Sequence, residues 1–159
     1  QALNKVIAVS LANLTNDIKK QNTLILFKTV SIKDDKVHTD VIGYLTLSSF
    51  IKRQIRSSKS RLEESYLCRT KDNILIRIKP LVPIKHEPNK SVLTALRKKL
   101  RESIIRTIES QTYIEMIGSV MNYQILKDLQ NELKKIKIIS NKIIKSIRKE
   151  NLEKRIKKK

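Results

Sequence analysis

Three clusters of lysine and arginine carry the clearest chemical signal in this sequence. They lie at Lys52–Arg61, Arg97–Arg101 and Arg148–Lys159, each on or beside a stretch whose apolar residues recur at helical spacing. Ammonium and guanidinium groups in such rows neutralise phosphates, so the clusters predict a surface for a nucleic-acid backbone. The candidate contact residues are Lys52, Arg53, Arg56, Lys59, Arg61, Arg97, Lys98, Lys99, Arg101, Arg148, Lys149, Lys154, Arg155, Lys157 and Lys158.

The charge of the whole chain supports this interpretation. The 159 residues include 35 Lys and Arg against 15 Asp and Glu, a formal net charge of +20. The positive side chains of a compact protein with this charge repel one another at low salt. The usual counterion of such a protein is a polyanion. One basic cluster on an average protein is a solvated surface. Three clusters in a chain with this surplus favour phosphate binding.

The aromatic residues favour recognition of the backbone over recognition of the bases. Proteins that read single strands stack bases on exposed aromatic rings. Aromatic residues make up 4% of this chain. Those at Phe27, Tyr44, Phe50 and Tyr66 all fall in apolar runs, where a place in the core is expected. We therefore expect contacts to phosphates and to the shape of the nucleic acid.

The residues that metal centres and phosphate loops need are sparse. The two glycines, Gly43 and Gly118, are far apart and cannot form a Gly-rich phosphate loop. His38 and His86 are isolated, and no second His or Cys stands at metal-ligand spacing. The sequence thus predicts no metal site and no cofactor.

Signals for catalysis are equally weak. Cys68 is the single cysteine, so an intrachain disulfide is impossible, and its strand-like setting indicates a small core residue. Glu63 and Glu64 form a carboxylate pair, but adjacent residues on a strand point to opposite faces. They are poorly placed to share general acid and base roles. We therefore predict that the chain is not an enzyme.

The hydrophobic periodicity indicates which elements hold the basic clusters. It predicts strands at 6–10, 23–32 and 37–45, a hairpin at 65–79, and helices at 47–60, 91–110, 111–122 and 123–135. Strands first and helices second predict an α+β fold. We expect a β-rich half at 1–86 that includes the basic helix 47–60, a Pro-rich linker at 80–88, a helical half at 87–148 and a basic tail at 149–159.

Smaller features refine this scheme. Ser48 or Ser49 is expected as the N-cap of the basic helix, and Gly43 indicates a bulge or a close backbone approach. Both Asp72 and Asn73 are expected to take a positive φ in the hairpin turn. The segment 6–17 lacks Lys and Arg, and its pattern predicts a neutral strand followed by an Asn-rich turn.

Five stretches, in order along the chain, resemble one known family. They are VSLANLTND at 9–17, GYLT at 43–46, RTKDNILIRI at 69–78, LRKKLRESI at 96–104 and LKDLQNELKKI at 126–136. Together they identify the chain as similar to the eukaryotic and archaeal small-subunit ribosomal protein S-three-a family, also called eukaryotic S-one. The chain departs from the family pattern by lacking Trp and by placing Asn73 where the hairpin has Gly. The family's basic N-terminal arm has no counterpart, so we expect a divergent member or a fragment of a longer polypeptide.

The resemblance implies a β-barrel-like half with helices packed around it. In that fold Val6, Val9, Leu11 and Leu14 are expected to form the first core strand and its exit. It also implies a structural role on the platform side of the small subunit, near the exit of the messenger channel. The partners implied are small-subunit rRNA, neighbouring ribosomal proteins and a multi-subunit initiation factor. The implied location is the ribosome in the cytoplasm, with assembly in the nucleolus if the source is eukaryotic.

Two other classes of protein share the same charge pattern. One is a free-standing basic module that binds RNA or DNA outside the ribosome. The other is a peripheral membrane protein that uses the C-terminal basic stretch. That stretch contains no Trp or Phe to anchor it in a lipid interface, so the membrane class is disfavoured.

Overall fold

The computed structural model describes residues 3–33, 36–56, 58–84, 87–125, 128 and 143–149. Seven strands and four α-helices are found there, with one short 3-10 turn at Ile18–Lys20. The strands are β1 Val6–Ser10, β2 Thr23–Lys33, β3 Lys36–Thr46, β4 Ser60–Glu63, β5 Tyr66–Arg69, β6 Leu75–Ile84 and β7 Ile143–Lys149. The helices are α1 Leu11–Thr15, α2 Ser48–Ile55, α3 Lys90–Glu109 and α4 Tyr113–Met121.

The seven strands form one antiparallel sheet in the order β1-β2-β3-β7-β6-β4, and β5 also pairs with β6. β6 pairs with β5 through its first residues and with β4 through its last. The α+β class is confirmed, but the barrel-like expectation is wrong because the seven strands of the described residues form a sheet that is open between β1 and the β4/β5 edge. Helices α3 and α4 cover one face of the sheet, so the main core forms between that face and these helices and does not require closure.

Strand β7 is the largest difference from the expected layout. Residues 143–148 were expected in the helical half, and Lys149 in the basic tail. They form a strand between β3 and β6, where Ile147 lies opposite both Tyr44 and Ile78. The stretch IIKSIRK is rich in β-branched residues, and its partners lie far away in sequence. Residues 143–148 therefore join the sheet of the first half, although the predicted domain range grouped them with the helices.

The Pro-rich segment is strand for most of its length. Pro80 and Pro83 lie within β6 and are buried, so the linker expected at 80–88 is wrong for 80–84. Pro80 stands at a register shift between β6 and β7. Pro83 lies beyond Leu81, where the pairing with β7 ends. A proline, which has no N–H to donate, is tolerated at both kinds of position.

The main core lies between α3, α4 and one face of the sheet, here called the inner face. The inner face is defined by Ile76 and Ile78 of β6 together with Tyr44 and Ile147, and residues alternating with these form the outer face. The apolar stripe predicted for α3 is confirmed. The buried residues of this layer are Leu96, Leu100, Ile104, Ile108, Met116 and Val120.

Helix α2 packs on the outer face. Its Ile51 forms a second, smaller apolar cluster with Leu81 of β6, and Phe50 and Ile55 pack beside them. The residue at the N-cap is Leu47, which has no side-chain capping bond, so the expected cap at Ser48 or Ser49 is wrong. Burial of Ile51 against Leu81 holds this helix in place without a polar cap.

The hairpin turn between β5 and β6 is tied to the junction of α3 and α4. The Lys71 N–H donates to the Gln111 carbonyl at 3.1 Å, and the Asp72 Oδ2 accepts from the Tyr113 N–H at 3.0 Å. Only Asn73 in this turn has a positive φ, of 58°, so the expectation for Asp72 is wrong. These bonds set where α4 begins against the sheet.

The neutral N-terminal segment is less buried than the resemblance implied. Leu11 is fully buried, and Val9 is half-buried. Val6 and Leu14 are about half exposed, at 56% and 48%, so their assignment to the core is wrong. β1 is an edge strand of the sheet. It has a neighbouring strand on one side only, so fewer residues cover its side chains.

Candidate nucleic-acid interface

The outer face of the sheet carries a group of basic side chains from three strands. Arg77 of β6 lies directly opposite Arg148 of β7, and both alternate with inner-face residues. Lys79 occupies the same face of β6, and Arg69 of β5 pairs with Leu75 on that face. We call Arg69, Arg77, Lys79 and Arg148 the outer-face patch. Arg77 is half-buried, and the other three are exposed.

The first predicted cluster adjoins this patch. α2 lies on the outer face and exposes Lys52, Arg53 and the following Arg56. The Arg53 guanidinium lies 5.4 Å from the centroid of the Phe50 ring, a cation–π distance. Arg61 of β4 also belongs to the outer face, opposite Pro83. Lys59 is exposed just before β4.

The second cluster lies on the other layer of the molecule. Lys98 and Arg101 are exposed on α3, and Lys99 is half-buried. The Arg97 Nε lies 2.8 Å from Glu64 Oε1, and this ion pair joins α3 to the segment between β4 and β5. An exposed pair contributes modestly to stability. Arg97 therefore has a structural contact in addition to any contact with a ligand.

Successive side chains of β7 point to opposite faces of the sheet, and this divides the third cluster between the two faces. Arg148 belongs to the outer face, whereas Lys149 is on the inner side, with its Nζ 5.5 Å from the centroid of the Tyr113 ring. The remaining candidates of this cluster, Lys154, Arg155, Lys157 and Lys158, lie outside the described residues. The structure thus brings the first cluster and Arg148 to one face and leaves the α3 cluster on the opposite layer.

Three residues of the outer-face patch were not among the predicted contacts. Ile78 separates Arg77 from Lys79, and Arg69 lies on the preceding strand, so the three do not form a contiguous basic run. The alternation in ILIRIK placed Arg77 and Lys79 on the polar face of a strand, and that was the available signal. Only the pairing of β5, β6 and β7 shows that these side chains meet Arg148.

Gly43 lies beneath the backbone of β7 and the side chain of Arg148. Both parts of the expectation for this residue are confirmed, since the register of β2 and β3 shifts next to it and the backbone of β7 passes close by. A methyl group added to Gly43 would overlap the Ile147 carbonyl oxygen. The same methyl position lies 3.4 Å from Arg148 Cγ, so the stem of Arg148 lies over the glycine.

The described part of the chain contains few groups suited to catalysis. No set of three or more His, Cys, Asp or Glu side chains is placed there to hold a metal ion. Glu63 lies opposite Leu81 on the outer face, while Glu64 turns to Arg97. Among the described helices, none is long and apolar enough to cross a membrane.

The Cys68 thiol should react only when the protein opens. It is buried, and burial raises its pKa to about 11, with a further rise from Glu109. Since the thiolate is the reactive form, we expect slow alkylation by iodoacetamide at pH 8 and fast alkylation in denaturant. Mass spectrometry of timed samples would measure both rates. Equal rates in the two conditions would contradict the buried position.

Comparisons with known proteins all indicate the same family. The model of the Ribosomal S3Ae family matches residues 1–155. The small ribosomal subunit protein eS1 of Methanocaldococcus jannaschii is 30% identical over 142 residues, covering 89% of this chain and 64% of the relative. The protein of the same name from Nanoarchaeum equitans is 24% identical over 136 residues, covering 86% and 69%.

A third relative is the small ribosomal subunit protein eS1 of Haloarcula marismortui, 25% identical over 136 residues and covered over 64% of its length. The chain thus spans slightly less than two thirds of the length of two of these three relatives. The match to the family model nevertheless extends along almost all of this sequence, including the β hairpins, α3 and strand β7. On that basis the chain belongs to the Ribosomal S3Ae family.

Proposed function

We propose that this chain is a structural constituent of the small ribosomal subunit and holds rRNA by its phosphate backbone. Membership of the Ribosomal S3Ae family is the observation that carries the proposal. Relatives over most of this chain are named as small ribosomal subunit proteins. The arrangement of charge supports the same role, because α2 and the outer-face patch present cationic groups on one side of the sheet.

The placement of the aromatic side chains supports contacts to the backbone. Tyr44 and Tyr113 are buried in the main core, and Phe27 packs against it. Phe50 packs between α2 and the sheet. These rings are committed to packing and are poorly placed to stack on bases. The exposed lysine and arginine groups are suited to phosphates, which are present at every nucleotide.

The finer location rests on the family resemblance. We propose a place on the platform side near the exit of the messenger channel, within cytoplasmic ribosomes, with support of initiation through a multi-subunit initiation factor. A contact with a neighbouring ribosomal protein is supported by exposed apolar side chains at the far end of the β2–β3 hairpin, namely Val30, Ile32 and Val37. Apolar groups of this kind are common where proteins meet.

Affinity for small-subunit rRNA should fall steeply with salt. Each phosphate neutralised contributes a slope of about −0.7 to −0.9 in log K against log salt concentration. If the outer-face patch and α2 engage several phosphates, the total slope is about −3 or steeper. Filter binding at a series of KCl concentrations would measure it. An affinity that does not change with salt would rule out phosphate contacts as its source.

Sedimentation separates the ribosomal role from that of a free-standing module. In a sucrose gradient of cell extract, the protein should travel with the small subunit and leave it only at high salt. Its persistence in the light fractions at low salt would favour the alternative, a basic RNA- or DNA-binding protein outside the ribosome. A known small-subunit protein detected in the same gradient provides the reference position.

A further inference from the structure

The free edge of strand β1 is a surface feature that phosphate binding leaves without a role. β1 lies at one end of the strand order, and among the described strands it pairs only with β2. We propose that this edge binds an extended, net acidic segment of another protein, which adds to the sheet as one more strand. The inference goes beyond the proposed function, because it concerns a protein contact made through the backbone and not the binding of rRNA.

The hydrogen bonds to β2 show which backbone groups of β1 face the free edge. The Thr29 N–H donates to the Lys5 carbonyl at 3.0 Å, so these two residues form a hydrogen-bonded pair. In an antiparallel ladder, such pairs alternate with pairs whose backbone groups point away from each other. The register of β1 with β2 continues without a shift from Val6 to Ser10. The N–H and C=O groups of Val6 and Ala8 therefore point away from β2, toward the position that a further strand would occupy.

β1 lacks the features that usually protect an edge strand from pairing. Natural proteins place charged residues, prolines or bulges on exposed edges. The sequence of β1 is VIAVS, which contains no charged residue and no Pro and is rich in β-branched residues. Addition of a strand to such an edge is a general mode of recognition, in which main-chain hydrogen bonds provide the affinity. The local sequence of β1 is suited to it.

Exposed apolar side chains are concentrated around this edge. Ten large hydrophobic side chains are exposed among the described residues, and eight of them lie between residues 3 and 37. Val6 and Ile7 are 56% and 46% exposed, and they lie on opposite faces of β1. Leu3, just before the strand, is 55% exposed. A strand added beside β1 would cover Val6 on the outer face and Ile7 on the inner face, as expected where proteins meet.

Charge decides which polypeptide this edge accepts. β1 and β2 together contain no Asp or Glu, whereas Lys5 precedes β1 and Lys28 stands opposite Val6. A second copy of this chain would bring another net charge of +20 to the edge, and the repulsion opposes self-association. An acidic segment is attracted instead. Asp40 of β3 lies opposite Lys28, so we expect the acidic residues of the partner beside Lys5.

The position of β1 in the sheet separates this edge from the basic helix α2. Three strands, β2, β3 and β7, lie between β1 and β6, and α2 packs on Leu81 of β6. RNA has no backbone N–H and C=O groups in the spacing of a strand, and its phosphates need more cations than this edge offers. The molecule thus has a basic surface suited to phosphates and a separate, mainly apolar edge suited to a protein.

The change Ala8→Pro tests the use of this edge. Proline removes the outward N–H of Ala8 and leaves the hydrogen bonds to β2 in place, so the melting temperature should change by less than about 3 °C. The probe is a fluorescein-labelled peptide, Glu-Val-Thr-Val-Thr-Val-Glu, and fluorescence anisotropy measures its binding. We expect at least tenfold weaker binding to Ala8→Pro and unchanged binding to the control Ala8→Ser, which keeps the N–H. Equal binding to all three proteins would overturn the proposal.

Changes in the probe give a second test that leaves the protein unaltered. N-methylation of the peptide nitrogens removes the donors of a strand and should weaken binding at least tenfold. Replacement of both Glu residues by Lys should weaken it several-fold at low salt, and this difference should shrink as salt is added. Failure of the Glu peptide to bind at up to about 1 mM would overturn the proposal. So would undiminished binding of either the methylated peptide or the Lys peptide.

Two measurements on the free protein address other occupants of the edge. Hydrogen exchange followed by NMR should show the amides of Val6 and Ala8 exchanging at least tenfold faster than those of Ile7 and Val9, which face β2 by the same alternation. Equal protection would mean that the edge is already covered within the chain. Sedimentation equilibrium should give a monomer, and a dimer that is lost in Ala8→Pro would assign the edge to a second copy. Either result overturns the proposal.

Binding of rRNA separates this inference from the proposed function. Ala8→Pro removes no charge, so it should bind a small-subunit rRNA fragment within twofold of the original protein. Failure of the original protein to bind rRNA would defeat the proposed function and leave the β1 edge intact as a protein site. Loss of rRNA binding in Ala8→Pro, with an unchanged melting temperature, would assign the edge to RNA and overturn the present proposal.

Discussion

Replacing Ile147 with Ala should destabilise the protein by about 2–5 kcal/mol, the range for truncating a large apolar side chain in a core. Ile147 is 1% exposed and lies on the inner face between Tyr44 and Ile78. Its loss would leave a cavity where β7 joins two strands from other parts of the chain. Urea unfolding followed by circular dichroism would measure the change in the free energy of unfolding.

The matched control for Ile147 is Ile114→Ala. Ile114 is 81% exposed on α4, so the same truncation should change stability by less than about 0.5 kcal/mol. A small effect at both positions would mean that the C-terminal strand does not belong to the cooperative core. The comparison therefore tests the position of β7, which is the feature that the sequence did not predict.

Replacing Gly43 with Ala should also be strongly destabilising, by about 1–3 kcal/mol or more, as for overpacking in a core. The added methyl group would overlap the Ile147 carbonyl oxygen, which is backbone and cannot turn aside as a flexible side chain can. β3 and β7 would have to separate where Gly43 pairs with Arg148. Thermal unfolding of the purified variant would measure the loss of stability.

Gly118→Ala provides a control of opposite sign. Gly118 is within α4, and a methyl group there would meet nothing within 4 Å. Alanine is favoured over glycine in a helix interior, so the change should stabilise the protein by about 0.5–1 kcal/mol. Stabilisation at both glycines would show that β7 does not approach Gly43 as closely as described.

Local patterns were sufficient to predict most of the elements. The continuous apolar run before Lys33, the Ile alternation of β6 and the helical stripe of α3 are each visible within one short stretch, because the side-chain pattern of an element is a local property of the backbone. The same holds for the family resemblance, which consists of short stretches in a fixed order. The match of the Ribosomal S3Ae family over residues 1–155 confirms it.

The basic surfaces that we propose for RNA were predicted only in part. Contiguous basic runs drew attention to α2, α3 and the C-terminal stretch, and exposed lysines and arginines are found on the described parts of all three. Their division between two layers was not visible in the sequence. Nor was the placement of Arg69, Arg77 and Lys79, which are spread along two strands and share a face with Arg148 only when the sheet forms.

The amino-acid sequence by itself determined the charge of this protein, the type of most of its elements and its family, because each of these is recorded in composition or in neighbouring residues. The tertiary structure alone decided that Ile143–Lys149 enters the sheet between β3 and β6, that Pro80 and Pro83 continue a strand, and that the sheet stays open. These outcomes depend on pairing and burial between residues far apart in the chain, and such long-range contacts leave no local periodicity to read.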